Sequence, residues 1–138
     1  MTLLDRFPYS GTSQLFAQKV LEYDQAKGWA RIAFEARAAF LNPAGYVQVG
    51  MLIAMLDDTM GPALWFMLNG EGFPVTIDVN ASFLVSTKPG RLIGEGQVLQ
   101  LGSTIAFLQG ELRDTGGRLI ARSTASARVV RRELGHGS

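Results

Sequence analysis

The segment from Met51 to Leu68 is apolar except for two adjacent carboxylates, Asp57 and Asp58, near its middle. No other stretch restricts the fold as strongly. At about 18 residues and 1.5 Å per residue it makes a helix of about 27 Å, and a helix hydrophobic nearly all round is expected to be enclosed on most sides. It reads as a buried helix rather than a membrane span. Each central aspartate carries an insertion penalty of about 2.5 kcal/mol or more, and Gly61-Pro62 interrupts the run further. Pro62 also lacks the amide that would bond the Asp58 carbonyl, so a kink or loosened turn and a freed carbonyl are expected there. Ionised carboxylates in apolar surroundings persist where a partner or a chemical task holds them. Asp57 and Asp58 are therefore the first candidates for chemistry.

What surrounds this helix narrows the options. A chain of 138 residues, 47% hydrophobic and 18% charged, reads as one compact domain over 1–138, with its core at about 15–130 and a flexible Gly-rich tail at 132–138. There is no cysteine, which excludes disulfides, thiolate nucleophiles and thiolate-bound zinc. The single histidine is His136, in that tail, so a Ser-His-Asp triad or a multi-histidine metal site is not expected. No metal and no cofactor are called for. With a net charge of +1 and basic residues clustered only at Arg128, Arg131 and Arg132, the chain lacks the footprint of a nucleic-acid binder. The opening residues show no apolar stretch behind a basic start, and a cytoplasmic protein is the expectation.

The rest of the chain reads mainly as strands. Val20 to Asp24 and Trp29 to Ala36 form a hairpin around Lys27-Gly28, with Ile32 and Phe34 alternating against charged or small neighbours. Ser10 to Lys19 has no clean period and is compatible with a short helix. A turn follows at Leu41-Asn-Pro-Ala-Gly45, where Asn-Pro initiates and Gly45 permits positive φ. After the helix come four strand candidates, Pro74–Ser86, Arg91–Leu101, Ser103–Asp114 and Arg118–Arg131, whose short separators imply an antiparallel meander. The expected architecture is α+β, a curved antiparallel sheet wrapped around one long central helix.

This pattern and its residues resemble the hotdog fold, and within it the acyl-CoA thioesterases of the PaaI type. The resemblance rests on the stretch from Leu41 through Gln48-Val-Gly-Met-Leu-Ile-Ala-Met-Leu-Asp-Asp-Thr-Met-Gly-Pro-Ala63, on Val75-Thr-Ile-Asp-Val-Asn-Ala-Ser-Phe-Leu84, and on Gly110 to Ala121. Such enzymes carry His-Gly-Gly or Gln-Gly-Gly before the helix and a catalytic Asp or Glu nine residues beyond the His or Gln. Counting from Gln48 reaches Asp57. The resemblance makes Asp57 the nucleophile or general base, Asn42 and Thr76 its aides, and Asp58 a secondary, substrate-side residue. One departure is Val49 at the first glycine, while Gly50 keeps the second. It further implies an acyl-CoA substrate, homodimers with shared active sites, and a dimer of dimers.

Physical chemistry sets terms for that implied role. Free amides at a helix N-terminus carry about half a positive charge, so those of Val49 and Gly50 can stabilise an oxyanion. The Val49 side chain narrows access that a glycine would leave open. Val49 and Asp57 are about 12 Å apart along one helix, whereas both must come within about 3 Å of the reacting group. One helix cannot supply both, but an antiparallel helix across a two-fold axis can. Adjacent helical side chains diverge by about 100°, so Asp57 and Asp58 are not expected to face one carbonyl together.

Other residues have plain structural readings beside the functional ones. Gln48 serves as a cap or as a substrate contact. Met60, Trp65, Phe66 and Met67 read first as packing, with Met60 carried into the substrate-binding set. Lys88 and Arg91, with Arg128, Arg131 and Arg132, are either solvated strand ends or contacts to coenzyme A phosphates. Two functions follow: hydrolysis of an acyl-CoA thioester, or non-catalytic binding of acyl-CoA or a small ligand. A hydratase of this fold pairs aspartate with histidine, which the folded body lacks.

Overall fold

The computed structural model describes residues 1–9 and 11–131; His136 and Arg132 lie outside them. A short helix α1 (Thr12–Leu15) precedes strands β1 (Lys19–Asp24) and β2 (Trp29–Ala36). The long helix α2 (Val49–Met67) follows, and then β3 (Gly72–Phe83), β4 (Gly90–Leu101), β5 (Ile105–Asp114) and β6 (Leu119–Arg131). All six strands form one antiparallel sheet in the order β1-β2-β4-β5-β6-β3, and α2 packs against it in the hotdog arrangement.

Glycines set how closely α2 approaches. On β4, side chains facing α2 alternate with outward ones, and Gly94 and Gly96 fall on the helix side beneath Thr59. A Cβ on Gly96 would overlap the Thr59 carbonyl oxygen, and one on Gly94 would overlap its hydroxyl. Gly110 on β5 gives the same clearance to Met60, whose Cγ would sit 2.9 Å from an added Cβ. Leu52, Met55, Leu56, Leu64 and Phe66 of α2 then close a core with Ile32, Phe34, Leu92, Leu108 and Leu112.

One expectation needs correction. The last four strands are not a simple meander, because β3 pairs with β6 along its length and not with β4. Residues 84–89 form no tight hairpin. They carry the chain across the sheet and are tied to the loop before α2 by the Val47 amide donating to the Thr87 carbonyl at 2.8 Å. Of these four strands, only β4, β5 and β6 run as neighbours in chain order. Pro62 lies inside α2, whose helical span continues through it. The carbonyl it frees, that of Asp58, accepts instead from Gln18 Nε2 at 2.7 Å, so the missing backbone bond is replaced by a side chain.

No helix among the described residues is long and apolar enough to cross a membrane. The sheet covers only one side of α2. Met51, Ile53, Ala54, Asp57, Asp58 and Gly61 remain half-buried on the other, where β3 forms the sheet edge and exposes Phe73, Val75 and Ile77.

Candidate active site

Asp57 is half-buried in the middle of α2 and accepts a hydrogen bond at Oδ1 from Thr76 Oγ1, 2.9 Å away on the neighbouring edge strand. Thr76 reaches it because its side chain lies on the helix side of β3, immediately before a bulge between Thr76 and Asp78. Asp58 diverges as helical geometry requires, and its Oδ2 accepts from Thr12 Oγ1 at 2.8 Å. Both carboxylates nevertheless line one cavity of about 280 Å³, so divergence separates their partners without separating them from one space. Phe7, Pro8, Trp65, Phe73 and Pro74 give this cavity an apolar wall. Desolvation raises the Asp58 pKa above 3.8, the Thr12 hydroxyl opposes that, and the charge of Asp57 adds to it.

The other expected residues gather elsewhere. Asn42 and Val49 line a second cavity, of about 430 Å³, with Tyr46, Leu52 and residues 83–87. Asn42 Oδ1 is engaged in the turn, accepting from the amides of Ala44 and Tyr46 at 3.0 and 3.1 Å. That leaves its Nδ2 as the available donor. Gln48 is exposed and its side chain makes no capping bond. Its carbonyl accepts from Met51 and Leu52, while the amides of Val49 and Gly50 donate to no group among the described residues. Val49 is 45% exposed, and a Cβ on Gly50 would meet nothing within 4 Å. The start of α2 is therefore open, electropositive and unblocked.

Asp57 with Thr76, and Asn42 with Val49, thus occupy two cavities that share no lining residue. Met60 belongs to neither. It is 1% exposed, its sulfur accepts from Ser123 Oγ at 3.4 Å, and it packs in the core rather than contacting substrate. Arg128 and Arg131 lie across from Val75 and Gly72, at the opposite end of β6 from the groove that holds Lys88 and Arg91, so they do not join that pair. Thr12 and Gln18 were not identified from sequence. The freed Asp58 carbonyl was the one signal that a donor should lie nearby. Among the described residues no group of carboxylates and histidine could hold a metal.

The sequence profile of the thioesterase superfamily matches residues 44–121. This chain belongs to that family, whose general activity is hydrolysis of a thioester. A proposed esterase of Saccharolobus solfataricus is 28% identical over 108 residues, covering 78% of this chain and 76% of the relative. Among solved structures, a proposed thioesterase of Ralstonia eutropha JMP134, described as phenylacetic acid degradation-related, superposes with a TM-score of 0.84. It is 31% identical over 91% of this chain and 95% of its own. A thioesterase of Haemophilus influenzae shares the fold at 18% identity, with a TM-score of 0.77 and full coverage, 100% of each chain.

Proposed function

We propose that this protein hydrolyses an acyl-CoA thioester to the free acid and coenzyme A in an active site shared between two copies of the chain. The observation that carries this reading is the separation just described: Asp57 lines one cavity, while Asn42 and Val49, the first residue of α2, line another. Neither cavity holds a complete site. A two-fold axis beside the β3 edge would set Asp57 and Thr76 of one protomer against Asn42, Val49 and Gly50 of the other. The exposed apolar side chains of β3 and the uncovered face of α2 support burial there. A homodimer is the minimal active unit on this reading, and two such dimers pair as a tetramer.

In such a site the thioester oxygen would accept from the free amides of Val49 and Gly50, which stabilise the developing oxyanion. Asp57 either attacks the carbonyl, expelling the coenzyme A thiolate and giving a mixed anhydride that water then cleaves, or takes a proton from a water whose attack expels the same thiolate. Thr76 fixes one carboxylate oxygen and leaves the other for the reaction. Asn42 Nδ2 orients the carboxylate or the water, Gln48 borders the thioester, and Asp58 meets the acyl group at the floor of the apolar cavity. No cofactor takes part, and the protein works in the cytoplasm.

Asp57→Asn tests this. Thiol release from a panel of acyl-CoAs is expected to fall by about 10²–10⁴-fold, the range for loss of a general base, with the fold intact by circular dichroism. Ligand binding without turnover in both wild type and variant would instead identify a non-catalytic binding module.

A further inference from the structure

Behind the cavity at the start of α2 lies a third space, of about 240 Å³, lined by residues 85–92 together with Asp114, Thr115, Arg118 and Ile120. Three cationic side chains border it: Lys88 from the β3–β4 connection, Arg91 at the start of β4, and Arg118 after the β5–β6 turn. None of the three has an ion-pair partner among the described residues. Among the described residues Asp114 is the only carboxylate lining the space, and its Oδ1 is occupied by the amides of Gly116 and Arg118, each at 2.9 Å. Three cations against one internally engaged carboxylate leave the groove electropositive.

The groove is also coupled to the reactive end of the molecule. Val85, Ser86 and Thr87 wall both this groove and the cavity that holds Asn42 and Val49. The Val47–Thr87 hydrogen bond joins the loop that enters α2 to the connection that carries Lys88. Lys88 Nζ lies 6.0 Å from the ring centre of Tyr46, itself a wall of the thioester cavity. The two spaces therefore adjoin across residues 85–87, so a ligand whose thioester sits at the start of α2 has a cationic groove next to it for a phosphate-bearing tail.

Building on the hydrolase reading above, we propose that Lys88, Arg91 and Arg118 bind the phosphate groups of a phosphorylated pantetheine thioester, distinguishing it from a thioester without phosphate. Arginine engages phosphate oxygens in a bidentate fork, and lysine adds a compact point charge. The same phosphate chemistry is presented by coenzyme A and by a phosphopantetheine arm on a carrier protein. Because the groove lies beyond Val49 and away from Asp57, it acts on capture and not on the bond-breaking step.

The test compares wild type with Arg118→Gln and with the combined Lys88→Gln, Arg91→Gln and Arg118→Gln variant, using one acyl group on three carriers: coenzyme A, a phosphopantetheinylated carrier protein and N-acetylcysteamine. The triple variant is expected to raise KM for the acyl-CoA at least about tenfold with kcat unchanged, and to leave KM for the N-acetylcysteamine ester unaltered. The single variant should lie between. Added salt should raise KM for the acyl-CoA in wild type far more than in the triple variant. A KM increase for coenzyme A alone identifies the nucleotide carrier as the source, and an increase for both phosphorylated carriers identifies the shared phosphate; either supports the groove. No KM change on either, or an equal change on N-acetylcysteamine, overturns it. If wild type hydrolyses none of the three, the hydrolase reading fails by itself. Calorimetric titration with coenzyme A alone then decides the groove: weaker binding by the triple variant supports it, and equal binding overturns it.

Discussion

The two halves of α2 are built to opposite standards. From Thr59 to Phe66 the helix is pressed against glycines of β4 and β5, and Thr59, Ala63, Leu64 and Phe66 are wholly buried. Rings reinforce it there: Phe66 stacks on Tyr23 at 4.1 Å, and Phe7 meets Trp65 and Phe66 at 5.3 and 5.6 Å. At the other end Gln48 caps nothing, Val49 is open to solvent, and two amides have no acceptor among the described residues. Unpaired amides are tolerable where water or a ligand can reach them and costly where neither can. The dense half fixes the position of the helix, and the open half offers the dipole. Asp57 sits at the border between them.

Gly96→Ala should break the dense half most severely. Its Cβ overlaps backbone rather than a flexible side chain, so α2 or β4 must move. Overpacking of this kind costs about 1–3 kcal/mol and occasionally more; the top of that range is expected here, read as a lower urea midpoint. An undisturbed midpoint would mean that α2 is not seated by the β4 glycines. Gly50→Ala provides the contrast, since an added Cβ there meets nothing, and its unfolding free energy should change by less than about 1 kcal/mol.

At the border, Thr76→Val removes the hydroxyl held 2.9 Å from Asp57 while keeping a β-branched side chain in the strand. A hydrogen bond to a charged group is worth about 1.5–3 kcal/mol. On the hydrolase reading kcat should fall by about 10–100-fold with little change in thermal stability. A variant with full activity would assign Thr76 to the structure of the edge strand and leave Asp57 to be positioned by α2 alone.

The dense half was largely legible in the sequence. An apolar run with two acids and alternating strands carry local signals, because burial and periodicity leave their mark on composition. The β3–β6 pairing left no such mark. Turn residues at Lys88-Pro-Gly90 announce that a strand ends, but which strand it lies beside depends on contacts distant in sequence. The site divides in the same way. Asp57 stands out as a charge among apolar residues, and Thr76 emerges through resemblance. Thr12 and Gln18 are polar residues in a segment without period, and their partners are forty or more positions away. Met60 was misplaced because an apolar residue three positions beyond Asp57 can face either a cavity or the sheet. The glycine at 110 that draws it to the sheet is visible only in three dimensions.

The subtlest difference between the two halves is electrostatic, and it falls on Asp58. Its carboxyl is held above 3.8 chiefly by desolvation, with Asp57 adding to the shift and Thr12 only partly compensating. The folded protein therefore keeps this proton at a pH where the unfolded chain has released it. Stability must then fall as pH rises from about 3.8 through the raised folded value, and the whole penalty is present above that value. Asp58→Asn preserves the shape and can still accept from Thr12, but it has no charge to desolvate. Unfolding free energies measured from pH 3 to pH 8 should show the variant gaining on wild type as pH rises through that window, with the difference constant above it. A difference independent of pH would mean that Asp58 is hydrated in the folded protein. The apolar wall of Phe7, Pro8, Trp65 and Phe73 would then not exclude water from the carboxylates, and the border between the dense and open halves would lie deeper along α2 than Asp57.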